Sequence, residues 1–186
     1  MKHRTIKHYD DQQEVHTLTF TCFHSLPLLS KERTCLWFVH AIKQARLKHS
    51  FDLWAWVAMP THAHLLIYPK APQTSTSKVL QSIRSSVGKR AIDYLRKMKS
   101  PFLEKLKVIT GRKIEYHFWQ DGPGHDRNLR EPQAIHEEIR YLHENSMKAG
   151  LVDRIEDWRW SSASACAGDP QPVRVIDRES VPRVVL

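Results

Sequence analysis

Phe51-Asp52-Leu53-Trp54-Ala55-Trp56-Val57-Ala58, Met59-Pro60-Thr61 and His62-Ala63-His64-Leu65-Leu66-Ile67-Tyr68 form the stretch on which the fold turns. Two apolar runs of strand length flank a short break containing proline, which has no N–H to give to a ladder. They read as hairpin partners, one strand over 51–58 and the next over 62–68. Upstream, Val15 to Phe23 alternates. Val15, Thr17, Thr19 and Thr21 fall on one face, and His16, Leu18, Phe20 and Cys22 on the other. Between these strands, Lys31 to Lys48 reads as a helix with Ser30 as N-cap and Leu36, Val39, Ile42 and Ala45 as its apolar stripe. Lys78 to Lys99 reads as a long helix carrying Val79, Ile83, Val87 and Ile92 on one side.

Lys113 to Trp119 reads as the fourth strand, and Asp121 to Arg130 as a turn followed by a basic polar stretch. Glu131 to Asn145 is a helix with Pro132 in its first turn and Gly150 as a stop. Strand, helix, strand, strand, helix, strand is the order of an α+β, ferredoxin-like split βαβ domain. That implies an antiparallel sheet with helices on one face, plus an added C-terminal helix. The division is a polar lead-in at 1–13, a domain at 14–165, and a Pro-containing tail at 166–186, expected to be extended or mobile.

A length of 186 residues suits one domain, and 41% apolar residues are enough for a core. The formal net charge of +9 points to a polyanionic partner. Cys22, Cys35 and Cys166 form no CxxC pair and are odd in number, so neither a zinc ribbon nor a disulfide framework is indicated. The polar N-terminus has no secretory apolar core, and no apolar run is long enough for a membrane span. A cytoplasmic protein with no membrane partner is the expectation.

His62 and His64 are i and i+2 on a strand, so both imidazoles share one face while Ala63, Leu65 and Ile67 face the core. Two histidines can hold a divalent ion and leave positions open for substrate oxygens. H-x-H alone is weak among twelve histidines. Leu66, on the histidine face, does not fit a wholly polar site.

Three blocks in order carry a resemblance. Met59-Pro60-Thr61-His62-Ala63-His64-Leu65-Leu66 resembles the "MPNHxHLL" signature of the HUH single-tyrosine transposases, in particular the REP-associated tyrosine transposases. Tyr141-Leu142-His143-Glu144-Asn145-Ser146-Met147-Lys148-Ala149-Gly150-Leu151-Val152 resembles their "YIHxNPVKAGLV". Asp157-Trp158-Arg159-Trp160-Ser161-Ser162-Ala163 resembles "DWxWSSA". Phe118-Trp119-Gln120 stands where that family has "WQ" after its last core strand. The resemblance spans roughly residues 15–165.

The resemblance implies recognition of hairpin DNA, cleavage of a nearby single strand, and covalent capture of the 5′-phosphate by Tyr141. It also implies Asn145 as third ligand, beside His62 and His64, for Mg²⁺ or Mn²⁺. Tyr141 and Asn145, at i and i+4, share a helix face. Glu137, Glu138 and His143 are neighbours that can assist proton transfer. Three positions depart from the family: Thr61 stands for Asn, Ser146 for a helix-ending Pro, and Asn145 is a neutral amide.

Tyr94 on the long helix is the rival nucleophile. Arg84, Lys89, Arg90, Arg127, Arg130 and Lys148 are candidate phosphate contacts, and Trp119 a candidate base-stacking residue. Trp54, Trp56, Trp158 and Trp160 read as core or core-edge. Competing readings are a silent hairpin-DNA-binding relative and a small phosphate-ester hydrolase; the broad basic surface argues against the latter. The segment around Trp158 and Trp160 can hold the tyrosine helix in cis, which favours a monomer over a helix-exchanging dimer.

Overall fold

Strand alternation in β1 (Val15–Thr21) sends Leu18 and Phe20 to one side of a sheet and Val15, Thr17 and Thr19 to the other. The computed structural model describes residues 14–122, 125–167 and 176–184, so the lead-in at 1–13 lies outside the described residues. Around β1 are α1 (Glu32–His49), β2 (Phe51–Ala58), β3 (His62–Pro69) and α2 (Thr76–Lys97). Then come β4 (Lys107–Thr110), β5 (Lys113–Tyr116), β6 (His125–Leu129), α3 (Pro132–Lys148) and the short α4 (Ala163–Ala167). The main sheet runs β2-β3-β1-β6 with antiparallel neighbours, the order a split βαβ arrangement requires.

The fourth sheet strand is β6, not the 113–119 segment. Lys113–Tyr116 instead pairs with Lys107–Thr110 in a separate hairpin. Its turn holds Gly111 at φ +59°, which glycine adopts without a Cβ penalty. The stretch read as a turn and basic run is the edge strand, with Arg127 opposite Thr17.

α1 and α2 cover one face. Phe20, Phe38, Ile42, Trp56, Leu65, Ile83 and Val87 share its continuous core, and the Phe20 and Phe38 rings meet edge to face at 5.8 Å. α1 begins at Glu32 with Lys31 as N-cap, while the Ser30 hydroxyl donates to the Pro27 carbonyl. Its buried stripe includes Phe38, Val39, Ile42 and Ala45, but Leu36 is 45% exposed. Ser75 caps α2, its hydroxyl accepting from Lys78 N–H.

The opposite face carries a second apolar cluster: Val15, Trp54, Ala55, Val57, Met59, Leu66, Leu129, Ile135 and Leu142. α3 supplies the last two. The helices therefore divide between the faces, α1 and α2 on one and the tyrosine-bearing α3 on the other. The β2 register shifts between Leu53 and Ala55, a bulge that places the consecutive residues Trp54 and Ala55 in this one cluster.

The β2 edge is covered by later chain. Trp160 C=O accepts from Ala58 N–H at 2.8 Å, and Ser162 N–H donates to Trp56 C=O at 2.9 Å. Farther along, Leu53 N–H donates to the Asp177 carboxylate at 2.8 Å, and Asp177 N–H returns to Leu53 C=O at 2.8 Å. Arg46 binds both Asp177 oxygens, and Trp54 Nε1–H donates to Ser180 Oγ. The part of the tail at 176–184 is thus docked on β2 rather than extended; 168–175 lies outside the described residues. Among the described residues no helix is long and apolar enough to cross a membrane.

Candidate metal and nucleophile site

β3 presents His62 and His64 on the α3 side of the sheet, their ring centroids 4.9 Å apart and planes at 84°. Each ring has a hydroxyl at Nδ1. Thr19 Oγ1, on the neighbouring β1 directly opposite His64, is 3.0 Å from His64 Nδ1. Thr61 Oγ1 is 3.0 Å from His62 Nδ1. Burial lowers the His62 pKa, which favours the neutral, ligand-competent ring. Leu66, the misfit of the sequence reading, is buried beneath α3 with Leu142.

The orientation of α3 follows from its contacts and the 100° step of a helix. Leu142 points down into the second cluster with Val57, the residue paired with His64. His143, 100° to one side, points to the β2 edge, where its Nε2 lies 2.8 Å from Ser162 Oγ. Glu138 lies on the other flank, 3.7 Å from Arg127 on β6. Tyr141 and Asn145 share that second flank, which faces from β3 across β1 to β6. The nucleophile candidate and the third-ligand candidate therefore sit on the histidine side of the helix.

Tyr141 is 48% exposed, with Lys148 Nζ 5.0 Å from its ring centroid. Lys148 also pairs with Glu144 at 2.8 Å. The Asn145 amide folds back, Nδ2 donating to Tyr141 C=O at 2.8 Å and Leu142 C=O at 3.3 Å. Ser146, where the resemblance expects a helix-ending proline, is inside α3. The stop is made by Gly150 at φ +66°, with Leu151 N–H to Ser146 C=O and Gly150 N–H to Met147 C=O.

The donors decide what ion fits. Among the described residues no group of three His, Cys, Asp or Glu side chains is placed to hold a metal. Two imidazoles with an amide nearby suit a divalent ion that takes its remaining ligands from substrate oxygens or water.

His143 is not a proton shuttle for Tyr141. It lies on the opposite flank, and burial pushes its pKa down to about 4. Its Nε2 is engaged at 2.8 Å with Ser162 Oγ, which also accepts Trp56 N–H, so the ring is tied to the β2 edge and not to Tyr141. Glu137 is engaged by Gln133.

Tyr94 lies on α2, on the far face of the sheet, with Arg33 4.1 Å from its ring centroid and Trp37 at 5.8 Å. The other candidates divide. Trp119 is only 6% exposed, packed on Phe20 and Phe38, with Nε1–H donating to Arg84 C=O; its ring is core, not a stacking platform. Arg84 donates its guanidinium to the carbonyls of Gln120 and Gly122, an anchor for the loop entering β6. Lys89 and Arg90 are exposed on α2, Arg90 over Trp37 at 5.2 Å. Arg127 and Arg130 keep exposed side chains; Arg127, on β6, pairs with Glu138, while Arg130 pairs with Glu14 at the Val15 end of β1, away from the level of His62 and His64. Thr19 as a histidine partner and the Arg127–Glu138 pair were missed by sequence reasoning. The run of alternate threonines in β1 was the signal for the first.

The fold and site together define an α+β, ferredoxin-like domain carrying a two-histidine strand beneath a tyrosine helix. No family model matches the chain, and no curated protein matches it. A solved REP-associated tyrosine transposase bound to a REP hairpin is similar over 98% of this chain and 99% of its own, with TM-score 0.67 and 16% identity. A candidate transposase from Deinococcus radiodurans R1 aligns over 78% of this chain and 96% of its own, with TM-score 0.46 and 15% identity. The first likeness shows that this chain has the fold of a REP-associated tyrosine transposase over nearly its whole length.

Proposed function

We propose that this protein is a transposase-like enzyme that recognises hairpin or palindromic DNA, cuts a neighbouring single strand, and becomes joined through Tyr141 to the new 5′-phosphate. What supports this reading is the contact pattern of α3: with Leu142 in the second apolar cluster and Glu138 3.7 Å from Arg127, the helical step turns Tyr141 and Asn145 toward the side of His62 and His64. In the step, a bond forms between Tyr141 Oη and phosphorus as the bond to the 3′-oxygen breaks. The phenol proton passes to solvent or a nearby base, and the leaving 3′-oxygen takes up a proton. The phosphotyrosine conserves the energy of the broken diester, so attack by a 3′-hydroxyl rejoins strands without ATP.

His62, His64 and Asn145 would hold Mg²⁺ or Mn²⁺, which would supply charge stabilisation at the scissile phosphate. Asn145 would ligate through Oδ1, the atom that its Nδ2 hydrogen bonds to the Tyr141 and Leu142 carbonyls do not use. Lys148 and Arg127 border this flank and suit phosphate contacts. The hydrogen bonds of Trp160 and Ser162 to β2, and of Ser162 to His143, hold α3 on its own sheet, which supports a monomer acting in cis. The small donor set, two imidazoles and one neutral amide, favours one second reading, a relative that binds hairpins without cutting.

The test is a denaturing gel with 5′- and 3′-labelled single-stranded hairpins and Mn²⁺ or Mg²⁺. The expected result is a denaturant-resistant adduct carrying the 3′ label, absent in Tyr141→Phe and in His64→Ala. Hairpin binding without adduct in wild type supports the silent reading. An adduct that survives Tyr141→Phe but not Tyr94→Phe moves the chemistry to the opposite face.

A further inference from the structure

The two histidines differ in how they are held, but the chemistry at each ring is the same. A neutral imidazole has one N–H and one lone pair, and a hydroxyl can meet Nδ1 either way. If the hydroxyl donates to Nδ1, the proton is on Nε2 and that nitrogen cannot ligate. If Nδ1–H donates to the hydroxyl, Nε2 carries the lone pair. Resting on the metal reading above, we propose that Thr19 and Thr61 are positioning residues that hold His64 and His62 in the Nδ1–H form and aim both Nε2 atoms at one divalent ion.

Three observations support the assignment. Both contacts are 3.0 Å, within hydrogen-bonding range. They come from different elements, Thr19 across the β1–β3 ladder and Thr61 from the turn before β3, so each ring is fixed independently. The contact is also not a general property of the threonine row. Thr17, two residues earlier on the same face and 5% exposed, makes no hydrogen bond through its hydroxyl among the described residues. A hydroxyl that accepts Nδ1–H orients the ring without the added basicity that a carboxylate partner gives a metal-bound histidine.

The experiment uses histidine-¹⁵N-labelled full chain, free of metal at pH 8, with long-range ¹H–¹⁵N correlation to read each tautomer. Mn²⁺ affinity is then measured by calorimetry. Wild type is expected to show Nδ1–H at both rings. Thr19→Val moves His64, and Thr61→Val moves His62, toward the Nε2–H form that free imidazole prefers. Each weakens Mn²⁺ binding by roughly 10–100-fold. Thr19→Ser and Thr61→Ser restore both readouts, and Thr17→Val leaves both unchanged. Valine variants with unaltered tautomers and unaltered Mn²⁺ affinity overturn the assignment. Wild type with both Nδ1–H signatures and no Mn²⁺ binding defeats the metal reading, while the assignment of hydroxyl to ring stands on the tautomer data.

Discussion

The two faces of the one sheet are built differently. Beneath α1 and α2, Phe20, Phe38, Ile42, Trp56, Leu65 and Ile83 form an unbroken apolar layer. Beneath α3 the apolar cluster around Leu66, Ile135 and Leu142 gives way to His62, His64, Thr17, Thr19 and Arg127. The first face is the main source of burial energy, and the second spends part of its area on polar groups. That difference separates stability from chemistry, and variants on the two faces should fail in opposite ways.

The largest effect is expected at Tyr141. Tyr141→Phe removes only an exposed hydroxyl, so its melting temperature should match wild type while adduct formation falls by on the order of 10⁴-fold. Phe38→Ala is the mirror case. It empties a fully buried site in the α1 layer and should cost about 3–5 kcal/mol in denaturant unfolding, with adduct chemistry per folded molecule unchanged. If Phe38→Ala alters the rate per folded molecule, the two faces are coupled and the separation fails.

His143 marks where the faces meet the later chain. Its folded pKa of about 4 lies below the ordinary 6.5 because the ring is buried against Ser162. The unfolded chain therefore binds a proton over a range where the folded one does not. The stabilising contribution is complete above about pH 6.5 and is lost as pH falls toward 4, by up to ~3 kcal/mol. Unfolding measured from pH 7 to pH 4 should show this slope in wild type, and His143→Gln should lack much of it. An unchanged slope in the variant would assign the acid sensitivity elsewhere.

The same contrast explains what the sequence disclosed. Strand β1 is legible by alternation, β2 and β3 as apolar runs of strand length around a proline break, and α2 and α3 by the helical period of their buried stripes. β6 is not legible. His125, Asp126, Arg127 and Asn128 give it no apolar alternation, and it is an edge strand whose register comes from β1. Lys113–Tyr116 has the better local strand pattern, yet its partner is β4. Leu36 fits the spacing of α1 but falls outside the contact arc. Asp177 completes β2 from 124 residues away, a contact with no local signature. For the proposed site, the resemblance pointed to His62, His64 and Tyr141, while the Thr19 contact needed the β1–β3 register. Trp119 was misread because an aromatic in a basic segment looks the same whether it stacks on a base or on Phe20.

The smallest expected effect tests whether the division extends to DNA. Arg127 borders the α3 flank, whereas Lys89 and Arg90 lie on α2 on the far face. Counterion release makes each phosphate contact visible as a decrement in the salt dependence of binding. Arg127→Gln should lower the slope of log affinity against log salt by about 0.7–0.9 on a single-stranded hairpin. The absolute loss of affinity should be modest, because Arg127 is shared with Glu138 at 3.7 Å before DNA arrives. Lys89→Gln with Arg90→Gln should leave the slope unchanged if strand contact is confined to the α3 face. A decrement for the α2 pair equal to or larger than that for Arg127 would mean that DNA wraps both faces, and the α1/α2 layer would then bind DNA as well as stabilise the fold.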